Sequence, residues 1–304
     1  MRVLVTGGCG FIGSNLVHRL LKDGNDVVVL DDLFLGDKAN IPEGVEFVEG
    51  SVTDFELLKK LTSDVDVVFH MAARSSAPIC DNDPVDATDV NVKGFVNVLE
   101  CAKINNISRI VYASTSSLYS VFSPPHREDM VVIPRTVYEG SMYCREVYSK
   151  VYWQNFEIES VGMRFFSVYG PRENHKGRYA NIITQFLWKM KKGEEIIVYG
   201  DGNQTRDFIF VDDVVEALIL ASKAKNVAGE VFNVGRGEEH TFNEVISLLE
   251  KHTGLKAKVK YVENPIKNYV ARTLADTRKS EKFLGFKAKI SLEEGIKRII
   301  DVYL

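Results

Sequence analysis

Short apolar runs alternate with amphipathic stretches through the first half of the chain. Val3-Leu4-Val5, Val27-Val28-Val29-Leu30, Val45-Glu46-Phe47-Val48, Val65 to Phe69 and Ile110-Val111-Tyr112 are rich in β-branched residues and nearly continuous. Parallel strands covered on both faces carry that pattern. Between them, Leu16, Val17, Leu20 and Leu21 recur on one helical face and stop before Gly24, a residue suited to end a helix. Phe95, Val96, Leu99 and Ala102 form a second apolar stripe. The alternation predicts an α/β fold built on a doubly wound parallel sheet.

After about Arg164 the pattern loosens. Thr241-Phe-Asn-Glu244 and Ser291-Leu-Glu-Glu294 read as capping boxes, each opening a helix. Asp212 or Asp213 is placed to cap the helix containing Val214, Val215, Leu218 and Leu220. The boundary between a large first part and a smaller C-terminal α/β lobe falls near 165–175. Residues 1–168 are expected to form the first domain and 169–304 the second, with part of 205–235 packing back on the first.

The chain has 304 residues, enough for this plan. A formal charge of −4, from 38 basic and 42 acidic residues, argues against nucleic acid or an anionic membrane surface as partner. No apolar run approaches the roughly 20 residues that span a bilayer, and the N-terminus enters a strand at once, without room for a signal peptide. Cys9, Cys80, Cys101 and Cys144 are widely spaced and the six His show no ligand-like pairing. Reduced core thiols in a cytoplasmic protein, with no metal, are the expectation.

The first apolar run leads into Thr6-Gly7-Gly8-Cys9-Gly10-Phe11-Ile12-Gly13, and a helix follows. Gly7 permits a tight turn, Gly10 lets the backbone approach a pyrophosphate, and Gly13 lets the helix pack closely on the strand. The helix N-terminus at Phe11 and Ile12 offers free N–H donors to phosphates. Asp31 ends the second strand, where a carboxylate accepts hydrogen bonds from adenosine ribose hydroxyls and repels a 2′-phosphate, favouring NAD over NADP. Asp32 reads equally as a ligand or a solvated loop charge. Together these residues predict a Rossmann-type dinucleotide site.

With TGGCGFIG at the start, FHMAA at Phe69–Ala73, Asn91 in DVNVKG, ASTSSLY at Ala113–Tyr119, RFFSVYGP at Arg164–Pro171, GDGNQTRDFIFVDDV at Gly200–Val214 and LEEGIKR near the C-terminus, the chain resembles extended short-chain dehydrogenases/reductases. Among them it is most similar to nucleotide-sugar epimerases of the UDP-glucose 4-epimerase type. The resemblance implies an NAD site that includes Met71, Ala72 and Ala73, with Ser51 and Val52 bordering the adenine; Ser51 stands where Asp is usual. It also implies homodimer formation through the helices near 92–104 and 138–155.

In such enzymes a Ser or Thr four residues before the tyrosine of S-S-x-x-Y contacts the sugar hydroxyl being oxidised, which here is Thr115. The chemistry calls for a small hydroxyl that can donate to a developing alkoxide or ketone oxygen. The general base of the family is the Tyr of Y-x-x-x-K. Pro134 to Met142 is similar to that segment and places the base at Tyr138, also a cofactor contact, with Met142 in the position of the lysine. Lys150 lies about 12 Å further along a helix axis and is too remote to substitute. A free tyrosine, with a pKa near 10, is ionised in only about one molecule per thousand at neutral pH. The missing lysine therefore leaves three explanations open: an engineered substitution, a natural enzyme of slow or altered activity, or an NAD- and sugar-nucleotide-binding protein without turnover.

The resemblance assigns Arg206 to the sugar-nucleotide diphosphate, a task suited to a bidentate guanidinium, with Arg272 as a second charge. Ser167 replaces a usual Asn and, with Thr115, Ser116 and Ser117, forms a hydroxyl cage for C6 of the sugar. Dehydratases and decarboxylases of the family carry an acidic residue where Ser116 and Ser117 stand, so epimerisation is favoured. The expected reaction is 4-epimerisation of a UDP-sugar of the UDP-glucose/UDP-galactose type by transient oxidation at C4. UDP-glucuronate is the alternative substrate, and an oxidoreductase releasing NADH a further alternative.

Overall fold

The computed structural model describes residues 1–265 and 269–304. Its first half runs β1 (Arg2–Thr6), α1 (Phe11–Lys22), β2 (Asp26–Asp31), β3 (Glu46–Glu49), α2 (Phe55–Leu61), β4 (Val67–His70), α3 (Ala77–Asn82), α4 (Pro84–Thr88), α5 (Gly94–Asn105), β5 (Arg109–Thr115), α6 (Val137–Phe156) and β6 (Ser160–Phe165). Then come β7 (Ser167–Tyr169), α7 (Ile182–Lys192), β8 (Glu195–Tyr199), β9 (Thr205–Arg206), β10 (Phe208–Phe210), α8 (Val211–Lys223), β11 (Val231–Val234), β12 (His240–Thr241), α9 (Phe242–Thr253), β13 (Lys258–Val262), α10 (Arg278–Leu284) and α11 (Leu292–Tyr303).

Seven strands form one sheet in the order β11-β6-β5-β4-β1-β2-β3, every pairing parallel. The apolar runs are its central strands: Val3, Leu4 and Val5 of β1 and Val28, Val29 and Leu30 of β2 are fully buried. Leu16, Val17 and Leu20 of α1 pack with α8 on one face of the sheet, while Phe95, Val98 and Leu99 of α5 cover the other. β11 joins the sheet beside β6 although it lies some seventy positions later, at Val231↔Gly162. The rest of the C-terminal half gathers round a separate apolar cluster that includes Phe186, Leu187, Ile196, Val245, Leu249, Ile296 and Ile299. Among the described residues no helix is long and apolar enough to cross a membrane, and the four cysteines remain separate thiols.

Thr241 and Glu244 form the complete capping box of α9. Ser291 forms half of one: it accepts from Glu294 N at 3.2 Å, while the Glu294 carboxylate turns to Arg298. The aspartates at 212 and 213 do not cap α8. β10 runs straight into the helix, so both fall inside its first turn, and Asp213 instead accepts from Lys289 N and Ile290 N at 3.1 and 2.9 Å. Their charge still favours the positive end of the helix.

The carboxyl end of β5 is held from beneath by a buried polar network. Arg164 on β6 grips Glu146 on α6 with two bonds of 2.8 and 2.6 Å, and Ser114 donates to the same carboxylate at 2.6 Å. Arg164 also donates to Tyr119, whose hydroxyl donates to Asn233 on β11, both at 2.7 Å. Both members of the ion pair are almost wholly buried. Removing one leaves the other charge without compensation in a medium that solvates it poorly. Glu146→Ala is therefore expected to cost about 3–5 kcal/mol in chemical denaturation; a loss below about 1 kcal/mol, the range of exposed pairs, would contradict this role for the network.

Candidate active site

The order in which strands are added to the sheet reverses between β1 and β4, and the crevice beyond the carboxyl ends of those strands is where such sheets bind ligands. A cavity of about 370 Å³ lies there. Its floor is the glycine loop. Gly7 has φ +70°, and a Cβ on it would lie 2.6 Å from Ala72 N, so only glycine lets the turn press against the segment after β4. A Cβ on Gly13 would lie 2.1 Å from the Gly7 carbonyl oxygen, which makes close packing of α1 on the loop depend on glycine as well. Gly10 caps α1 without a side chain, so the first-turn N–H groups from Phe11 to Gly13 face an uncovered helix end.

Asp31 sits at the end of β2 with its carboxylate fixed to the loop: Oδ2 accepts from Cys9 N and Oδ1 from Leu33 N, both at 2.9 Å. Burial raises its pKa while those two bonds oppose the rise. Asp32 is also on the cavity wall, bound to Arg74 at 3.0 Å. Arg74 is bidentate to Asp86 as well and stacks on Phe34. Val52 lines the cavity, fixed through its carbonyl by Asn97 at 3.0 Å. Ser51 does not line it: its hydroxyl turns back to accept from Thr53 N and Thr53 Oγ1. Met71, Ala72 and Ala73 form the wall after β4.

Thr115, Ser116, Ser117, Tyr138, Met142 and Ser167 meet at the other end of the cavity. Thr115 ends β5 and accepts from Ser117 N at 3.1 Å, which fixes the turn over Ser116–Tyr119. Its hydroxyl and the half-buried Tyr138 both line this end of the cavity. Burial raises the Tyr138 pKa; the nearby Thr115 hydroxyl and then the positive charge of Arg145 pull it down. Met142 is 1% exposed, one turn along α6. Lys150 is on the exposed side of that helix.

The two predicted phosphate-binding arginines are outside the cavity lining. Arg206 on β9 donates to the Thr205 and Ala271 carbonyls at 2.7 and 3.4 Å, between the rings of Phe242 and Tyr269. Burial lowers its pKa, and among the described residues it forms no ion pair. Arg272 is exposed and bidentate to Glu239, which also accepts from Thr205. It is already neutralised where it stands.

Sequence reasoning missed Arg74, Phe34 and Arg145. Arg74 directly follows the Met71–Ala73 run and was within reach of motif reading; Arg145 lies three residues after Met142, which lies four after Tyr138, so all three share a helix face. His175 and Lys176 also reach the cavity, from a segment without a motif.

A glycine cradle at a helix N-terminus beside a fixed carboxylate, facing a tyrosine and a threonine, defines a dinucleotide-dependent enzyme of the Rossmann class. The comparisons narrow the class. Residues 3–235 match the model of the NAD dependent epimerase/dehydratase family, and the chain belongs to that family. It is 38% identical over 304 residues to a putative UDP-glucose 4-epimerase of Methanocaldococcus jannaschii, covering 98% of this chain and 97% of the relative. It is 33% identical to a UDP-glucuronate 4-epimerase of Thermodesulfobacterium geofontis, covering 98% and 94%. Its fold superposes with a TM-score of 0.94 on the crystal structure of the Thermotoga maritima UDP-glucose 4-epimerase with UDP-glucose, at 32% identity and coverage of 100% and 98%.

NAD is the cofactor of this family, and the glycine cradle and the Asp31 carboxylate fit it. Gly7→Ala puts a methyl group into the β1–β4 contact at a positive φ. The variant is expected to lose about 1–3 kcal/mol of stability and most of the rise in Tm that added NAD produces. An undiminished NAD-dependent rise would contradict the role given to the loop.

Proposed function

We propose that the protein is a UDP-sugar 4-epimerase of the UDP-glucose/UDP-galactose type that retains its NAD. The observation that carries this reading is the meeting of Tyr138 and Thr115 in the same cavity as the glycine cradle and Asp31. When bound, NAD supplies a reversible hydride acceptor for the sugar C4. Tyr138 takes the proton of the C4 hydroxyl: the sugar O–H bond breaks and a tyrosine O–H bond forms. Thr115 holds the same sugar oxygen by hydrogen bond and disfavours its drift as the ketone develops. The ketone presents its other face, and Tyr138 returns the proton as C4 is reduced. Arg206, unpaired by any carboxylate among the described residues, is the diphosphate partner in this reading. Arg272 joins it only by giving up Glu239.

Residues 1–168 then hold the dinucleotide and 169–304 the sugar nucleotide, with α8 and β11 of the later segment packing on the first part. Val147, Tyr148 and Val151 are exposed apolar residues on one stretch of α6, and Ile104 is exposed on α5. They support a homodimer joined through these two helices.

A second reading, UDP-glucuronate as substrate, is favoured by the hydroxyl-bearing wall of Ser116, Ser117 and Ser167. Incubation with UDP-glucose and, separately, UDP-glucuronate, followed by NMR of the sugar, is expected to give the C4 epimer of UDP-glucose without net NADH. Faster conversion of UDP-glucuronate would transfer the assignment to that sugar, and net NADH would exclude an epimerase.

Tyr138→Phe and Thr115→Val are each expected to reduce turnover by about 10²–10⁴-fold with NAD still bound; activity within a few-fold of the parent in Tyr138→Phe would remove it as the base. Because the Tyr138 pKa is raised and the phenolate is the active form, kcat/KM is expected to climb with pH through neutrality by nearly tenfold per unit. A flat profile there would contradict a tyrosine base.

A further inference from the structure

We propose that Arg145 is the cation that sets the charge state of Tyr138, delivered from one turn further along α6 than the position where the family carries a lysine. This rests on Tyr138 acting as the general base. Positions 138, 142 and 145 lie on one face of the helix, with the buried Met142 between the other two. Arg145 is completely buried. Its guanidinium donates only to neutral oxygens: Nε to the Asn91 carbonyl at 2.8 Å, Nη2 to the Ala72 carbonyl at 2.8 Å and Asn91 Oδ1 at 3.4 Å, and Nη1 to the Ala113 carbonyl at 3.3 Å. Ala72 and Ala113 line the cavity, so the charge sits directly behind its wall.

The other buried arginines differ in this respect. Arg74 is paired with Asp32 and Asp86, Arg109 with Glu159, and Arg164 with Glu146. Among the described residues Arg145 has no carboxylate partner. A buried charge without a counter-ion is costly to maintain, and its field is poorly screened. The four acceptors orient it without neutralising it. A π-helical turn over Asp89–Lys93 carries the Asn91 carbonyl that receives Nε, and Asn91 is itself clamped to Arg74 N and Ser141.

The groups facing this charge leave Tyr138 as the anion it can serve. His70 on β4 is held neutral by burial and by Arg145 itself. Burial raises the pKa of Cys80 on α3 and of Tyr112 on β5, keeping both protonated. Glu139 is tied to Arg135 N at 2.6 Å, at the start of α6. The Thr115 hydroxyl, at the end of β5, favours the Tyr138 anion as Arg145 does. Burial lowers the Arg145 pKa to about 10, which still leaves it charged at neutral pH. A lysine at 142 would set a second positive charge within a turn of Arg145.

The test is ultraviolet difference titration of the Tyr138 phenolate, with Tyr138→Phe as the blank, alongside the pH profile of turnover and the NAD content of each sample. Arg145→Met removes the charge. Arg145→Gln also removes it but keeps amide donors for the Asn91 and Ala72 carbonyls, guarding against loss of the fold. Both are expected to raise the Tyr138 midpoint by about one unit or more, making the phenolate about tenfold rarer at neutral pH. Arg145→Lys, or Met142→Lys added to Arg145→Met, is expected to bring the midpoint back. Folded Arg145→Gln with an unchanged midpoint and pH profile overturns the proposal and leaves a structural arginine. If the parent turns over no UDP-sugar while the midpoint still follows the charge at 145, the coupling stands and the epimerase reading fails. Normal turnover with a midpoint indifferent to position 145 overturns the coupling and leaves the epimerase reading standing.

Discussion

The site depends on one close approach of two backbones. β1 and β4 are adjacent parallel strands, and the turns that leave them touch where Gly7 meets Ala72. A side chain at position 7 would force these turns apart. Because it is absent, the end of β1, the N-terminus of α1 and the segment Met71–Arg74 form one wall around a phosphate-sized space. Asp31 is tied into the same corner through Cys9 N. Dinucleotide binding thus follows from packing at the middle of the sheet, not from a loop laid over it.

A second constraint is electrostatic. The ends of β5 and β6 are braced by the buried Arg164–Glu146 pair, whose two bonds and whose links to Ser114 and Tyr119 leave little charge unanswered. Immediately before Glu146 on α6, Arg145 is bonded only to neutral oxygens. The helix therefore presents a neutralised pair to the scaffold and an unneutralised cation to the cavity. In the proposed mechanism such a division holds Thr115 still and also favours an anion at Tyr138.

Features set by neighbours in sequence were legible beforehand. The glycine loop, Asp31 at the end of a valine-rich strand and the capping box at Thr241 each depend on local spacing. What could not be read depended on distant partners. Asp213 reads as a helix cap, but the amides that claim it are at 289 and 290. Arg145 meets carbonyls 54 and 73 positions away, so its isolation from carboxylates emerges only when α5 and β4 are assembled around α6. Ser51 occupies a recognisable place in the motif, but its hydroxyl is satisfied by Thr53 and turns from the cavity. Arg206 lies in a clear motif, yet its position outside the cavity depends on how the C-terminal lobe packs.

The central claim is that hydride leaves and returns to the same sugar carbon within one closed site. It is tested most directly by incubating the protein with UDP-glucose deuterated at C4 and following the label by NMR. The account predicts a C4 epimer that keeps its deuterium at C4, with no label lost to solvent and no reduced cofactor accumulating. Loss of the label to water during epimerisation would contradict it, because the proton chemistry would then occur at carbon instead of at the oxygen that faces Tyr138.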